Sequence, residues 1–170
     1  MKHLVVTLII LASAASVARA SCGSGGGTRT LFQSVTDATN SATAVFRGKV
    51  VGWEWRKGDL INRNSELSRQ GRSLVVETKV TKFKVDRWWK MAVGPEVFVL
   101  TQETRDKEGV TTNSSDYNFK EGESYLVFPI GTENLLRIGC SMVLPLKLQG
   151  IEAVFEILGE GMPPRPLTLK

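Results

Sequence analysis

Residues 44–55 read Ala-Val-Phe-Arg-Gly-Lys-Val-Val-Gly-Trp-Glu-Trp, a long β-type run with two glycines inside it. Branched and aromatic residues favour a pleated strand, whereas glycine within a strand marks a bend or a bulge. A strand this long that must bend suits a strongly curved β architecture.

The rest of the chain reads the same way. Leu74 to Trp88 forms a second strand, in which Leu74, Val76 and Val80 share one face and Phe83 and Val85 the other. That parity switch predicts an inserted bulge residue between Val80 and Phe83. Gly94-Pro95 is a turn, Glu96 to Thr101 a third strand, Tyr125 to Ile130 a fourth and Leu135 to Ser141 a fifth. Polar, turn-rich stretches at 56–71 and 103–118 separate them. Leu31, Phe32 and Val35 are spaced for a short helix. Ile151, Val154, Phe155 and Leu158 recur at i, i+3, i+4 and i+7, an amphipathic helix that Gly159 and Gly161 stop. The fold class expected is mainly β, a five-stranded Greek-key OB-type barrel with one or two short peripheral helices. Pattern alone leaves a β-sandwich as the competitor.

A length of 170 residues with 42% apolar and 23% charged residues fits one soluble domain. Residues 1–20 read as a signal peptide. Lys2 and His3 give a basic start, Leu4 to Leu11 an apolar stretch too short to span a bilayer, and Ala18-Arg19-Ala20 a small-x-small cleavage site. The mature domain then covers residues 21–166, with 167–170 as a tail, and the protein is secreted (periplasmic or envelope-bound in a bacterium). A lipoprotein signal competes because Cys22 follows closely, but Arg19 stands where such signals carry an apolar residue. Cleavage removes Lys2 and Arg19 and no acid, turning a net charge of +5 into +3. Those charges are scattered among acids along the chain, which argues against a nucleic-acid partner.

The mature chain has no histidine and two cysteines, Cys22 and Cys140. A structural zinc needs about four Cys or His ligands and is excluded. In an exported protein two cysteines default to a disulfide, here closing a loop of 119 residues that chain-entropy models value at roughly 4–5 kcal/mol. Two unpaired buried thiols are the alternative. Gly23 to Gly27 lacks the preceding strand and following Lys-Ser/Thr of a phosphate loop and reads as a flexible leader. No nucleophile, base or paired-carboxylate motif is present, so no enzyme, intrinsic metal or cofactor is expected. Trp53 and Trp55 share one strand face and read as core packing, whereas Trp88 and Trp89 point opposite ways and leave one ring for a recognition surface. Asn113-Ser114-Ser115 is a glycosylation sequon in a polar loop.

Several ordered segments resemble the N-terminal domain of the tissue inhibitors of metalloproteinases and the related netrin-like modules, including bacterial relatives. They are Ala44 to Val50, the aromatic-basic run Phe83 to Lys90, and Asp116-Tyr117-Asn118-Phe119 leading through Gly122 into Tyr125-Leu126-Val127. Cys140-Ser141 before Pro145, and Leu158-Gly159-Glu160-Gly161 before a proline pair, complete the series.

The resemblance implies an OB-type barrel, a monomeric non-enzymatic binding module and a zinc metalloprotease as protein partner. It also implies a contact ridge made of Ser21, Cys22, Gly23 and Ser24 with Thr112, Asn113, Ser114 and Ser115. In the family the terminal amine and carbonyl of a leading Cys-x-Cys chelate the target's zinc. Here Ala20 stands at the first cysteine's position and Ser115 at its partner's, so one family bridge is missing in both halves and Ser21 would present the amine. The alternative function is a matrix or cell-surface binding module that uses the barrel face and the Trp88-Trp89 edge, without protease inhibition or membrane insertion.

Overall fold

A computed structural model of the chain describes residues 29–57, 77–91, 94–105, 109–111, 117–132, 135–139 and 141–165. The fold is mainly β, a curled half-barrel sheet with two helices. In chain order the elements are α1 (Leu31–Ser41), β1 (Val45–Lys57), β2 (Glu77–Lys90), β3 (Glu96–Arg105), β4 (Val110–Thr111), β5 (Ser124–Val127), β6 (Ile130–Thr132), β7 (Leu135–Arg137), β8 (Val143–Pro145) and α2 (Ile151–Leu158). The pairing order is β6-β7-β3-β2-β1-β5-β8, with β4 added to β3. All pairs are antiparallel except β3 with β7.

Chain connectivity forces the curl. Val127 ends β5 and Ile130 begins β6, yet these strands stand five pairings apart in the order. In a flat sheet five spacings cover about 24 Å, whereas three Cα–Cα steps reach at most about 11 Å. The sheet must bend back until Phe128 and Pro129 can join its two sides. Thr43 supports that corner by donating its amide to the Pro129 carbonyl (2.9 Å) and its hydroxyl to the Gly131 carbonyl (2.9 Å).

Two apolar layers follow. Inside the curl lie Phe46, Val50, Phe83, Val85, Trp88, Val97, Val99, Phe119, Tyr125, Val127, Leu136 and Ile138. Outside it, α1 and α2 pack Val35, Ile151 and Val154 onto Val45, Leu126, Phe128 and Leu144. The opposite faces of β5 are therefore both buried, one by each layer, which explains why Tyr-Leu-Val-Phe runs apolar without alternation. Thr30 caps α1 through a capping box with Gln33. The other end of α1 is closed from outside the helix, where the Lys90 ammonium donates to the carbonyls of Thr39 (2.9 Å), Asn40 (3.1 Å) and Ala42.

Several expectations need correction. The third strand runs four residues beyond Thr101, to Arg105, and β4 and β8 were not foreseen. The expected fourth strand divides into β5 and β6. No bulge lies in β2 between Val80 and Phe83; those residues face opposite sides of a regular strand and each is buried on its own side. The irregularity lies across the ladder in β1, where Val50 pairs Phe83 and Gly52 pairs Lys82, leaving Val51 as the inserted residue. The sheet is eight-stranded among the described residues rather than five-stranded.

Candidate binding surface

The Val51 bulge decides what β1 presents. Before it, Phe46, Gly48 and Val50 face inward; after it the parity reverses, so Trp53 and Trp55 continue the inward face beside Thr81 and Lys79. The second neighbour of β1, β5, pairs only Phe46 to Lys49. Among the described residues β1 has no second neighbour from Gly52 onward, and the distal parts of β1, β2 and β3 extend past β5 as an arm. Trp53 is 49% exposed for that reason, and Trp55 is half-buried. Core packing, the role expected of both, is not what they do.

On the inward face of the arm each indole meets a cation that is itself held by a carboxylate. Lys79 Nζ lies 5.2 Å from the Trp53 ring centroid and 2.8 Å from Glu103 Oε2. Arg105 Cζ lies 4.6 Å from the Trp55 ring and its guanidinium pairs with Glu77. The two cations and two carboxylates cancel around the rings, and Lys57, of the same strand parity, adds one exposed positive charge at the end of this face. Such cation–π contacts are worth roughly 0.5–1 kcal/mol where exposed, enough to fix ring orientation and little more. The outward face carries Phe98 between Arg56 (4.4 Å) and Lys82 (5.7 Å), with Arg56 paired to Glu54 and Lys82 to Glu96 (2.8 Å).

Trp88 and Trp89 do not form the expected exposed edge. Trp88 is fully buried, tilted against Phe46 at 5.2 Å, and its Nε1–H donates to the Gly94 carbonyl (3.2 Å). Its backbone pairs with Met162, so the segment after α2 straps over it. Trp89 is half-buried, stacks on Phe155 at 5.6 Å and donates Nε1–H to the Gly159 carbonyl (2.8 Å). Both rings fasten α2 and the residues after it to β2.

The Tyr-x-Phe segment that carried the resemblance fills one side of the inner core. Phe119 sits edge-on to Phe83 (5.0 Å) and to Tyr125 (5.2 Å), with Tyr117 alongside both tyrosine and phenylalanine. Tyr125 Oη donates to Glu123 Oε2 (2.9 Å) and accepts from the Lys120 amide (3.1 Å). Burial pushes the Tyr125 phenol up to about 12, and burial also raises Tyr117. The hydrogen bonds from Lys147 and Tyr125 hold the Glu123 carboxyl below its ordinary value. These groups are packed against and hydrogen-bonded to one another.

Ser21, Cys22, Gly23, Ser24, Thr112, Asn113, Ser114, Ser115 and Cys140 lie outside the described residues, as do the signal segment and the 167–170 tail. What is described is where the second ridge loop departs. Val110 and Thr111 of β4 pair with Arg105 and Thr104, so the described part of this segment ends at Thr111 on the outer edge of β3. Among the described residues no group of His, Cys, Asp or Glu could hold a metal ion. No family model matches the chain, and no curated protein matches it.

Lys79, Lys82, Phe98 and Arg105 were missed as surface-forming residues by the sequence reading. Alternation of Lys79, Lys82 and Lys84 with apolar neighbours was visible, but which cation meets which ring depends on a register set by the bulge.

Proposed function

We propose that the chain is an exported, non-enzymatic binding module on an OB-type barrel that engages a protein partner through the arm and the adjoining ridge. Taking β5 and β6 as one bent strand gives five principal strands in the order 1-2-3-5-4 and back to 1, with the last running parallel to the third. That is the connectivity a small Greek-key barrel of this type requires, and in such barrels the strand 2–3 face and the first long loop commonly bind ligands. The observation that carries the reading is the position of β4: the loop assigned by resemblance to the contact ridge leaves from beside the Trp55–Arg105 pair. That position of β4 supports reading the ridge and the indoles as one binding surface.

The partner to which the resemblance points is a zinc endopeptidase, with the Ser21 amine offered to its metal and Cys22 anchored by Cys140. The mature protein should inhibit such a protease at micromolar concentration. Acetylating the N-terminus should abolish inhibition, and Trp53→Ala or Trp55→Ala should weaken it. Absence of inhibition before acetylation removes the protease as target. Inhibition unchanged by acetylation removes the chelating terminus and leaves the arm as the contact.

A further inference from the structure

Two like-charged pairs stand on the outward face of β1 and β2. Lys49 lies directly opposite Lys84, and Arg47 directly opposite Arg87. Like charges facing across a ladder destabilise it. On the arm four cations have a carboxylate partner, Glu103 for Lys79, Glu77 for Arg105, Glu96 for Lys82 and Glu54 for Arg56, while Lys57 at the strand end has none among the described residues. Asp86 pairs with Arg47 (2.8 Å) and Arg87 donates to the Gly161 carbonyl (3.1 Å). Glu96 is opposite Lys84 in register, but its carboxylate is held by Lys82. Lys49 and Lys84 are exposed and contact no carboxylate among the described residues. Six cations (Arg47, Lys49, Arg56, Lys82, Lys84, Arg87) thus share this strip with three acids (Glu54, Asp86, Glu96) over roughly 30 Å of strand. A local rule broken without local compensation points to a requirement outside the fold.

We propose that this strip docks the protein on an anionic bilayer surface. Two observations favour a bilayer over a soluble polyanion. Apolar side chains are interleaved with the cations: Val51 at the bulge is 40% exposed and Phe98 36%. Cations flanking apolar tips suit the headgroup boundary, whereas a polyanion has no use for the apolar part. The strip also lies on the outer, convex side of the curled sheet, while the exposed indoles that could stack on bases or sugars lie on the other face of the arm. Docked this way, the outward face rests on lipid and the inward face with Trp53 and Trp55 stays free for a partner.

The test uses the mature protein and sedimentation with vesicles of phosphatidylcholine, with or without about a third phosphatidylglycerol. Association is expected only with the anionic vesicles and is released as salt shortens the screening length. Lys49→Glu combined with Lys84→Glu should lower partitioning by about tenfold or more. Lys49→Glu alone should also weaken it while unfolding no earlier than the wild type, because the introduced carboxylate would face the Lys84 ammonium; that variant separates lost binding from lost folding. Trp53→Ala should leave vesicle association unchanged, which keeps this proposal distinct from the protein-binding one. Equal binding to neutral vesicles, indifference to the double substitution, or association with dextran sulfate but with neither vesicle overturns it.

Discussion

The Lys79 ammonium stands 5.2 Å from the Trp53 ring centroid and 2.8 Å from the Glu103 carboxylate, so one side chain of β2 ties β1 to β3 beyond the reach of β5. Side-chain pairs of this kind help to hold the arm, alongside the buried Val80 and Leu100. Its rings are oriented but remain open to solvent.

That difference sets the first expectation, read by denaturant unfolding. Trp88→Ala should cost about 3–5 kcal/mol, as for other large core truncations, because the ring is fully buried against Phe46. Trp53→Ala should cost about 1 kcal/mol or less, since a half-exposed ring forfeits little beyond one cation–π contact. Comparable losses for the two would mean that the arm is packed.

Lys90 closes a helix it does not belong to. Lys90→Met keeps the aliphatic stem and removes the donor to three carbonyls at the end of α1. The expected loss is about 1–2 kcal/mol, combining a charged hydrogen bond and the favourable field at a helix C-terminus. Lys90→Gln, still a donor but uncharged, should fall between. Identical stabilities for Lys, Gln and Met would remove the capping role.

Gly161 is pinned by closeness. A Cβ there would lie 2.7 Å from the Trp88 carbonyl oxygen and 2.5 Å from Arg87 Cγ. Gly161→Ala should lift the strap from β2, cost about 1–3 kcal/mol and expose Trp88 to a soluble fluorescence quencher. An alanine variant with native stability and native quenching would show that the strap can shift at no cost.

The chain has two tyrosines, and both phenols are raised above the ordinary value of 10.0, Tyr125 to about 12. A phenol is neutral below its pKa, so a raised folded value favours folding while the group is neutral. That stability is complete below pH 10 and is lost as pH climbs toward about 12. Ultraviolet titration should therefore show little tyrosinate at pH 10 in the native protein and ordinary ionisation in denaturant. Tyr125→Phe should flatten the alkaline loss of stability. Native ionisation of both phenols near 10 would contradict the packing of Tyr117, Phe119 and Tyr125.

Strong local signals were readable in the sequence. The i, i+3, i+4, i+7 spacing from Ile151 to Leu158, ended by Gly159, marks α2 at its observed bounds. Leu31, Phe32 and Val35 mark α1, and the glycines of β1 mark a strand with three register shifts. The burial of the tryptophans was not readable. A single inserted residue at Val51 reverses the sidedness of everything after it, and where a strand outruns its neighbour is a tertiary fact. Trp53 and Trp55 share a face as expected, yet that face extends past β5; Trp88 packs on Phe46, and its backbone is bridged by Met162, 74 residues later in the chain. The opposition of Lys49 to Lys84 was equally hidden, because it exists only once β1 and β2 are in register.

Peptide mapping of the exported protein under non-reducing conditions, with sequencing of its N-terminus, tests the central claim most directly. A chain that begins at Ser21, with Cys22 joined to Cys140 in one cross-linked peptide pair, is the result expected of a ridge fastened beside the barrel. Two free thiols, or a chain that starts beyond Cys22, would leave no anchored terminus to present to a partner and would contradict it.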